Sequence, residues 1–263
     1  MFRRMALAGS CVFVALTLAC ETRPAPPTAA TSIQSPDARG GPTHDFAAEV
    51  FVDHASATHA GPGPHPTSES DDFSLTQGGI RWLAGGVINY WIRGIEPIAG
   101  GNVAIEASEA TLDALITTRT FTRVLTGPTV NPCGESTTDL LDDFSTVLWG
   151  AIDGPGGALA SASVCRNVAT KEIVGFVLTI DSAETWSTTG AAGTFDVANM
   201  ATHEWGHVAG LGHVNGAPGG CLSMYRFGAP GETQKRTLGL GDKLGLNVLY
   251  ATGDTSPGPG CGN

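Results

Sequence analysis

The chain has 263 residues, with 14 Lys and Arg against 25 Asp and Glu, for a formal net charge of −11. Setting Arg3 and Arg4 aside leaves 12 basic against 25 acidic residues, near −13. This balance argues against nucleic-acid binding and against electrostatic adsorption to anionic membranes, both of which need basic surface.

Residues 1–20 have the pattern of an export signal. Arg3 and Arg4 form a positive n-region, and Ala6–Ala19 is an uncharged apolar run too short to span a bilayer. The run Leu16-Thr17-Leu18-Ala19-Cys20 resembles a bacterial lipobox, which makes Cys20 the candidate lipidation site. Cleavage of an ordinary signal near Ala19 is the alternative. The expected location is therefore outside the cytoplasm. Either a lipid anchors the chain to a bacterial membrane, facing periplasm or cell exterior, or the chain is secreted. Residues 21–70 are rich in Pro, Thr, Ser, Ala and Gly and read as a flexible tether, apart from a short apolar patch at Phe46–Val52. The tether histidines His44, His54, His59 and His65 read as solvated. Residues 71–253 suit one compact domain, and 254–263 form a Pro/Gly-rich tail.

Within the domain, Ile80–Trp82 and Val87–Ile92 alternate apolar and polar residues and predict strands. Ala104–Thr118 has helical apolar spacing, and Phe121–Leu125 reads as strand. Ser145–Ile152 is apolar and β-branched, Asp153–Gly157 is a Gly/Pro turn, and Leu159–Val164 and Ile173–Ile180 are strands. Asp196 is placed to N-cap a following helix, and a last helix covers about Gly241–Ala251. This order of elements is α+β. Of six cysteines, Cys133, Cys165, Cys221 and Cys261 lie beyond the signal. An even number in an exported chain predicts two disulfides. Three connectivities are open; pairing neighbours along the chain favours Cys133–Cys165 and Cys221–Cys261.

The densest chemistry lies at His203-Glu204-Trp205-Gly206-His207-Val208-Ala209-Gly210-Leu211-Gly212-His213. Positions i and i+4 of a helix share a face, so His203 and His207 can aim two imidazoles at one metal ion. Gly210 can take the left-handed conformation that ends a helix, and His213 then returns as a third ligand. Three nitrogens and an open position define a catalytic zinc site, with Glu204 beside it as proton acceptor.

On these residues the chain resembles the metzincins, and within them the matrixins, over roughly residues 78–252. Met200-Ala201-Thr202 before the histidines and Ser223-Met224-Tyr225 after them carry the likeness further, with Met224 in the position of the family's Met-turn. The resemblance implies a twisted, mostly parallel sheet with an antiparallel edge strand, an active-site helix and a C-terminal helix. It also implies a structural calcium, with Asp153, Gly154, Gly156 and Ala158 in one loop and Asp181 and Glu184 beyond it; oxygen ligands suit that hard cation. An extended substrate would pair with the edge strand at Leu159, Ala160 and Ser161. Residues between Met224 and Leu240 would wall the specificity pocket. Ser161 and Thr179 stand where the family's second zinc needs histidines, so one zinc is expected. The family's P-R-C-G-x-P-D latency peptide is not found upstream. The implied activity is that of a zinc endopeptidase, with Glu204 as general base for zinc-bound water. It would act as a monomer on protein or peptide substrates, with no nucleic acid. A catalytically inactive surface lipoprotein that uses the fold as a binding module is the alternative.

Overall fold

The computed structural model describes residues 46–55, 70–127, 144–215 and 222–258. The export signal with Cys20, most of the tether, and Cys133, Cys221 and Cys261 lie outside the described residues. In chain order the elements begin with β1 (Phe46–Ala55), β2 (Ser74–Leu75), β3 (Val87–Arg93), α1 (Gly101–Asp113), β4 (Thr120–Arg123), β5 (Phe144–Gly150) and β6 (Ala158–Asn167). There follow β7 (Ile173–Asp181), β8 (Trp186–Ser187), β9 (Phe195–Asp196), α2 (Val197–Val208), β10 (Leu211–Gly212), β11 (Phe227–Gly228) and α3 (Leu240–Tyr250). No helix among the described residues is long and apolar enough to cross a membrane.

Seven strands form one sheet in the order β11-β1-β6-β7-β5-β3-β4. Strands β4, β3, β5 and β7 run parallel, whereas β6 is antiparallel to both β7 and β1. Side chains alternate across a strand, and β7 buries Phe176, Leu178 and Ile180 against the helices. The sheet is therefore mostly parallel with an antiparallel side, as the resemblance implies.

Helix α2 lies across this sheet. Its N-terminus is fixed by Asp196, whose Oδ1 accepts from the Asn199 amide at 2.9 Å, satisfying an otherwise orphaned donor. Trp205 packs edge-on against Tyr90, Phe121 and Phe176, at centroid distances of 5.1, 5.4 and 5.2 Å. Helical geometry then aims His203 and His207, two residues either side, away from that aromatic cluster. Beyond α2 the chain reverses at Gly210 (φ +93°), where a Cβ would also sit 2.2 Å from the Ile80 carbonyl oxygen. Ile80–Trp82 is not a strand; it makes one isolated bridge, Arg81 to Glu172, and passes under this turn.

The main departure concerns the tether. Phe46–Ala55, assigned to it by composition, is a ten-residue strand in register with β6 from Phe46↔Asn167 to His54↔Ala158. Ala47 and Ala48 are buried there, as is Glu49, which pairs with Arg166 at 3.2 Å and accepts from the Gln77 amide at 2.9 Å. Backbone pairing and this buried ion pair hold the segment against β6. Consequently β6 is not the edge of the sheet: β1 and β11 lie beyond it.

Candidate metal centre

His203 and His207 come from consecutive turns of α2, and His213 from the segment after Gly210. Their Nε2 atoms converge, with His207 Nε2 lying 3.1 Å from each of the other two. The outer nitrogens are tied down. His203 Nδ1 faces the Ser223 carbonyl, and His207 Nδ1 meets the Leu211 carbonyl at 2.9 Å. A carbonyl can only accept, so each Nδ1 carries the proton and each Nε2 lone pair points inward. Burial pushes the pKa of His207 well below its ordinary value, and the neighbouring histidines push it further; burial likewise lowers His203. Neutral imidazoles with inward lone pairs are the form that binds a metal. The donor set thus fits one zinc ion.

Glu204 is fully buried, and neither of its oxygens makes a hydrogen bond by distance and angle. Burial raises its pKa well above the usual range, and the nearby Asp53 charge adds to this. A buried carboxyl group beside a second buried carboxylate is costly, so its retention here points to use.

The floor of the centre is Met224. It packs on Gly206, where an added Cβ would lie 2.2 Å from the Met224 sulfur. Asp242, near the start of α3, holds that turn: its carboxylate accepts from the amides of Ser223 (2.7 Å), Met224 (3.2 Å) and Gly239 (2.9 Å). Lys235 is buried and donates to the carbonyls of Tyr225 (2.5 Å) and Phe227 (2.6 Å), bracing the segment between Met224 and Leu240. Sequence reasoning passed over Asp242 and Lys235 because a single Asp or Lys in an ordinary context carries no signal of its burial.

It also missed Asp53. From β1 its Oδ1 reaches His203 Nε2 at 2.9 Å and His213 Nε2 at 2.8 Å. Asp53, His203, His207 and His213 are the one group of potential metal ligands gathered among the described residues. The signal was faint: Asp53 follows the apolar patch Phe46–Val52 and lies two residues after Phe51, hence on the same strand face.

Leu159, Ala160 and Ser161 lie on β6, but Asp53 and Val52 already pair opposite Ala160 and Ser161. Ser161 also faces Thr179 in register on β7. The carboxylates expected to hold calcium surround one loop without converging as the histidines do. Asp181 accepts from the amides of Ile152, Asp153 and Gly154, Glu184 from Gly156, and Asp153 from Ala158. Burial raises the Glu184 pKa, and the Asp181 and Asp153 charges raise it further. Cys165, buried on β6, is not a free thiol, and every other cysteine of the chain lies outside the described residues.

Two histidines on a helix and a third after it, a methionine floor beneath them and a mostly parallel sheet behind are the features on which the sequence resembles the metzincins. The family model for Matrixin matches residues 146–251. Stromelysin-3 of Mus musculus is 32% identical over 131 residues, covering 48% of this chain and 24% of that protein. Matrix metalloproteinase-25 of Homo sapiens is 32% identical over 124 residues, covering 45% of this chain and 21% of that protein. The matched part therefore spans about a quarter or less of the length of these curated relatives. Over these matched residues the chain is matrixin-like.

Proposed function

We propose that residues 71–253 form a zinc-dependent endopeptidase domain that hydrolyses protein substrates outside the cytoplasm. The observation that carries this is the convergence of three histidine Nε2 atoms beside a fully buried Glu204. His203, His207 and His213 would hold the zinc. When bound, zinc supplies a Lewis acid for the scissile carbonyl and lowers the pKa of water at an open position.

The remaining work falls to the chain's own groups. Glu204 takes a proton from the attacking water and returns it to the leaving amine nitrogen. Its raised proton affinity suits both halves of that exchange. Leu159, Ala160 and Ser161 of β6 would pair with an extended substrate in the place that β1 takes in this structure. The segment around β11, braced by Lys235, walls the pocket beyond the scissile bond. Met224 and Gly206 hold the histidine-bearing turns at fixed separation.

The same reading includes calcium at the Asp153–Ala158 loop. Three carboxylates crowd one loop, and Gly154 (φ +91°) and Gly156 (φ +83°) let its backbone turn sharply; a cation would relieve the like charges. It also includes export with lipid on Cys20 and a tether, now confined to about residues 21–45. Mass spectrometry of the mature N-terminus tests the lipid, and an unmodified terminus would exclude it. For the peptidase itself, a peptide-library digest with and without a zinc chelator is the test. Chelator-sensitive cleavage is expected, and cleavage that survives full zinc removal would refute it.

A further inference from the structure

We propose that β1 is a built-in inhibitor of this cleft and that Asp53 closes the metal centre as its fourth protein ligand. The chain would then be latent until β1 is displaced or cut away. This rests on the peptidase reading above and adds its regulation.

Three independent observations converge on β1. The first is the ligand count. Catalytic zinc sites keep a position open for water, whereas four protein ligands make a closed site. The ligand atoms of Asp53, His203, His207 and His213 all lie within 4.8 Å of one another, so a metal held by the histidines has the Asp53 carboxylate within reach.

The second is the backbone. β1 pairs with β6 along the stretch assigned to substrate, placing Val52 opposite Ser161 and Asp53 opposite Ala160. On its other side His54 and Ala55 pair in parallel with Phe227 and Gly228 of β11. An extended substrate would need this same slot, between β6 and the segment after Met224. The register breaks between Asp53 and His54, and such irregularities re-aim the adjacent side chain. Here that side chain is Asp53.

The third is what β1 spends to be there. Phe51 stacks on the His207 ring, with centroids 4.0 Å apart and planes 7° apart, and meets His213 edge-on at 5.8 Å. Asp53 is buried, and its Oδ2 has no hydrogen-bond partner. A strand that served only to extend the sheet would gain nothing from a carboxylate there, because burying an incompletely paired charge is unfavourable. A metal ligand gains from it. Between β1 and β2 the sequence is rich in Gly, Pro and His, as in His59-Ala60-Gly61-Pro62-Gly63-Pro64. One cut there would leave β1 held by noncovalent contacts alone.

The test uses the mature, zinc-loaded chain as wild type, Asp53→Ala and Asp53→Asn, with a small peptide hydroxamate as active-site probe. Calorimetry should show both variants binding at least 100-fold more tightly than wild type. Cobalt substitution should give each variant a visible spectrum different from wild type, because one ligand has changed. Wild-type binding as tight as that of a folded variant would overturn the proposal. A second measurement needs no variant. In wild type, β1 amides should be protected from hydrogen exchange and lose protection at hydroxamate concentrations that saturate the site; unchanged protection in the saturated protein would also overturn it. An Asp53→Asn protein that binds hydroxamate tightly yet cleaves no peptide would support latency and refute the peptidase reading, so the two fail separately.

Discussion

Gly206 and Met224 are in van der Waals contact beneath the three histidines, with no room on Gly206 for a methyl group. The contact joins α2 to the turn whose Ser223 carbonyl fixes the tautomer of His203. Gly206→Ala gains about 1 kcal/mol of helix propensity but forces the buried Met224 aside, and overpacking costs about 1–3 kcal/mol. The expected net result is a lower melting temperature and weaker zinc affinity. A Gly206→Ala/Met224→Ala double variant should lose less than the sum of the two single changes. Strict additivity in calorimetry would show that the contact carries no coupling.

Glu204→Gln should have opposite effects on activity and stability. Loss of a general acid–base group reduces turnover by about 10²–10⁴-fold. Yet the wild-type carboxyl group is buried beside the Asp53 charge, so replacing it by a neutral amide should raise the metal-free melting temperature by a few degrees. Zinc content should not change, because Glu204 is not a ligand. Calorimetry and metal analysis on the same preparation check both halves.

A pH dependence should arise away from the metal, at Glu109 on α1. Burial, aided by the Asp113 charge, raises its pKa from about 4.5 to about 7. In the unfolded chain it loses its proton at the lower value. Between those two pH values the folded state binds the extra proton, so stability falls as pH rises through that window. The loss should be on the order of 1–2 kcal/mol after allowance for solvent screening. Glu109→Gln should flatten this part of the stability profile; an unchanged slope in denaturant titrations would count against it.

Lys235→Met removes two buried hydrogen bonds and leaves the Tyr225 and Phe227 carbonyls unsatisfied, at about 1–3 kcal/mol for each orphaned group. On the proposed reading that this segment walls the substrate pocket away from the metal, KM should rise more than kcat falls. Steady-state kinetics on a good peptide would show the split.

Calcium should stabilise the fold by mass action. At 100 times its dissociation constant, an ion that binds only the folded chain adds about 2.7 kcal/mol. Asp181→Asn should abolish that gain in a thermal titration. A calcium-independent melting temperature in wild type would remove calcium from the account.

What could be read in the sequence follows from how local the signals are. The alternation of Phe176, Leu178 and Ile180 marks β7 because a strand exposes its period over a few residues. The eleven residues from His203 to His213 specify a helix, a reversal and three imidazoles within one local segment. Asp196 announces its cap three residues before Asn199. By contrast, β1 is set by β6, more than a hundred residues away, and Glu49 finds Arg166 only in the folded chain. Composition therefore assigned β1 to the tether, and with it Asp53. Ile80–Trp82 erred in the opposite sense: its apolar residues alternate because they pack under Gly210 and against Trp205's neighbours, not because they join the sheet.

The central claim is that Glu204 and the three-histidine centre together cleave peptide bonds. The most direct measurement is a peptide-library digest by zinc-loaded Asp53→Asn protein, run beside the Asp53→Asn/Glu204→Ala double variant. The account predicts cleavage by the first, reduced at least about 100-fold in the second. Equal cleavage by both, or none by an Asp53→Asn protein that holds one zinc, would contradict it.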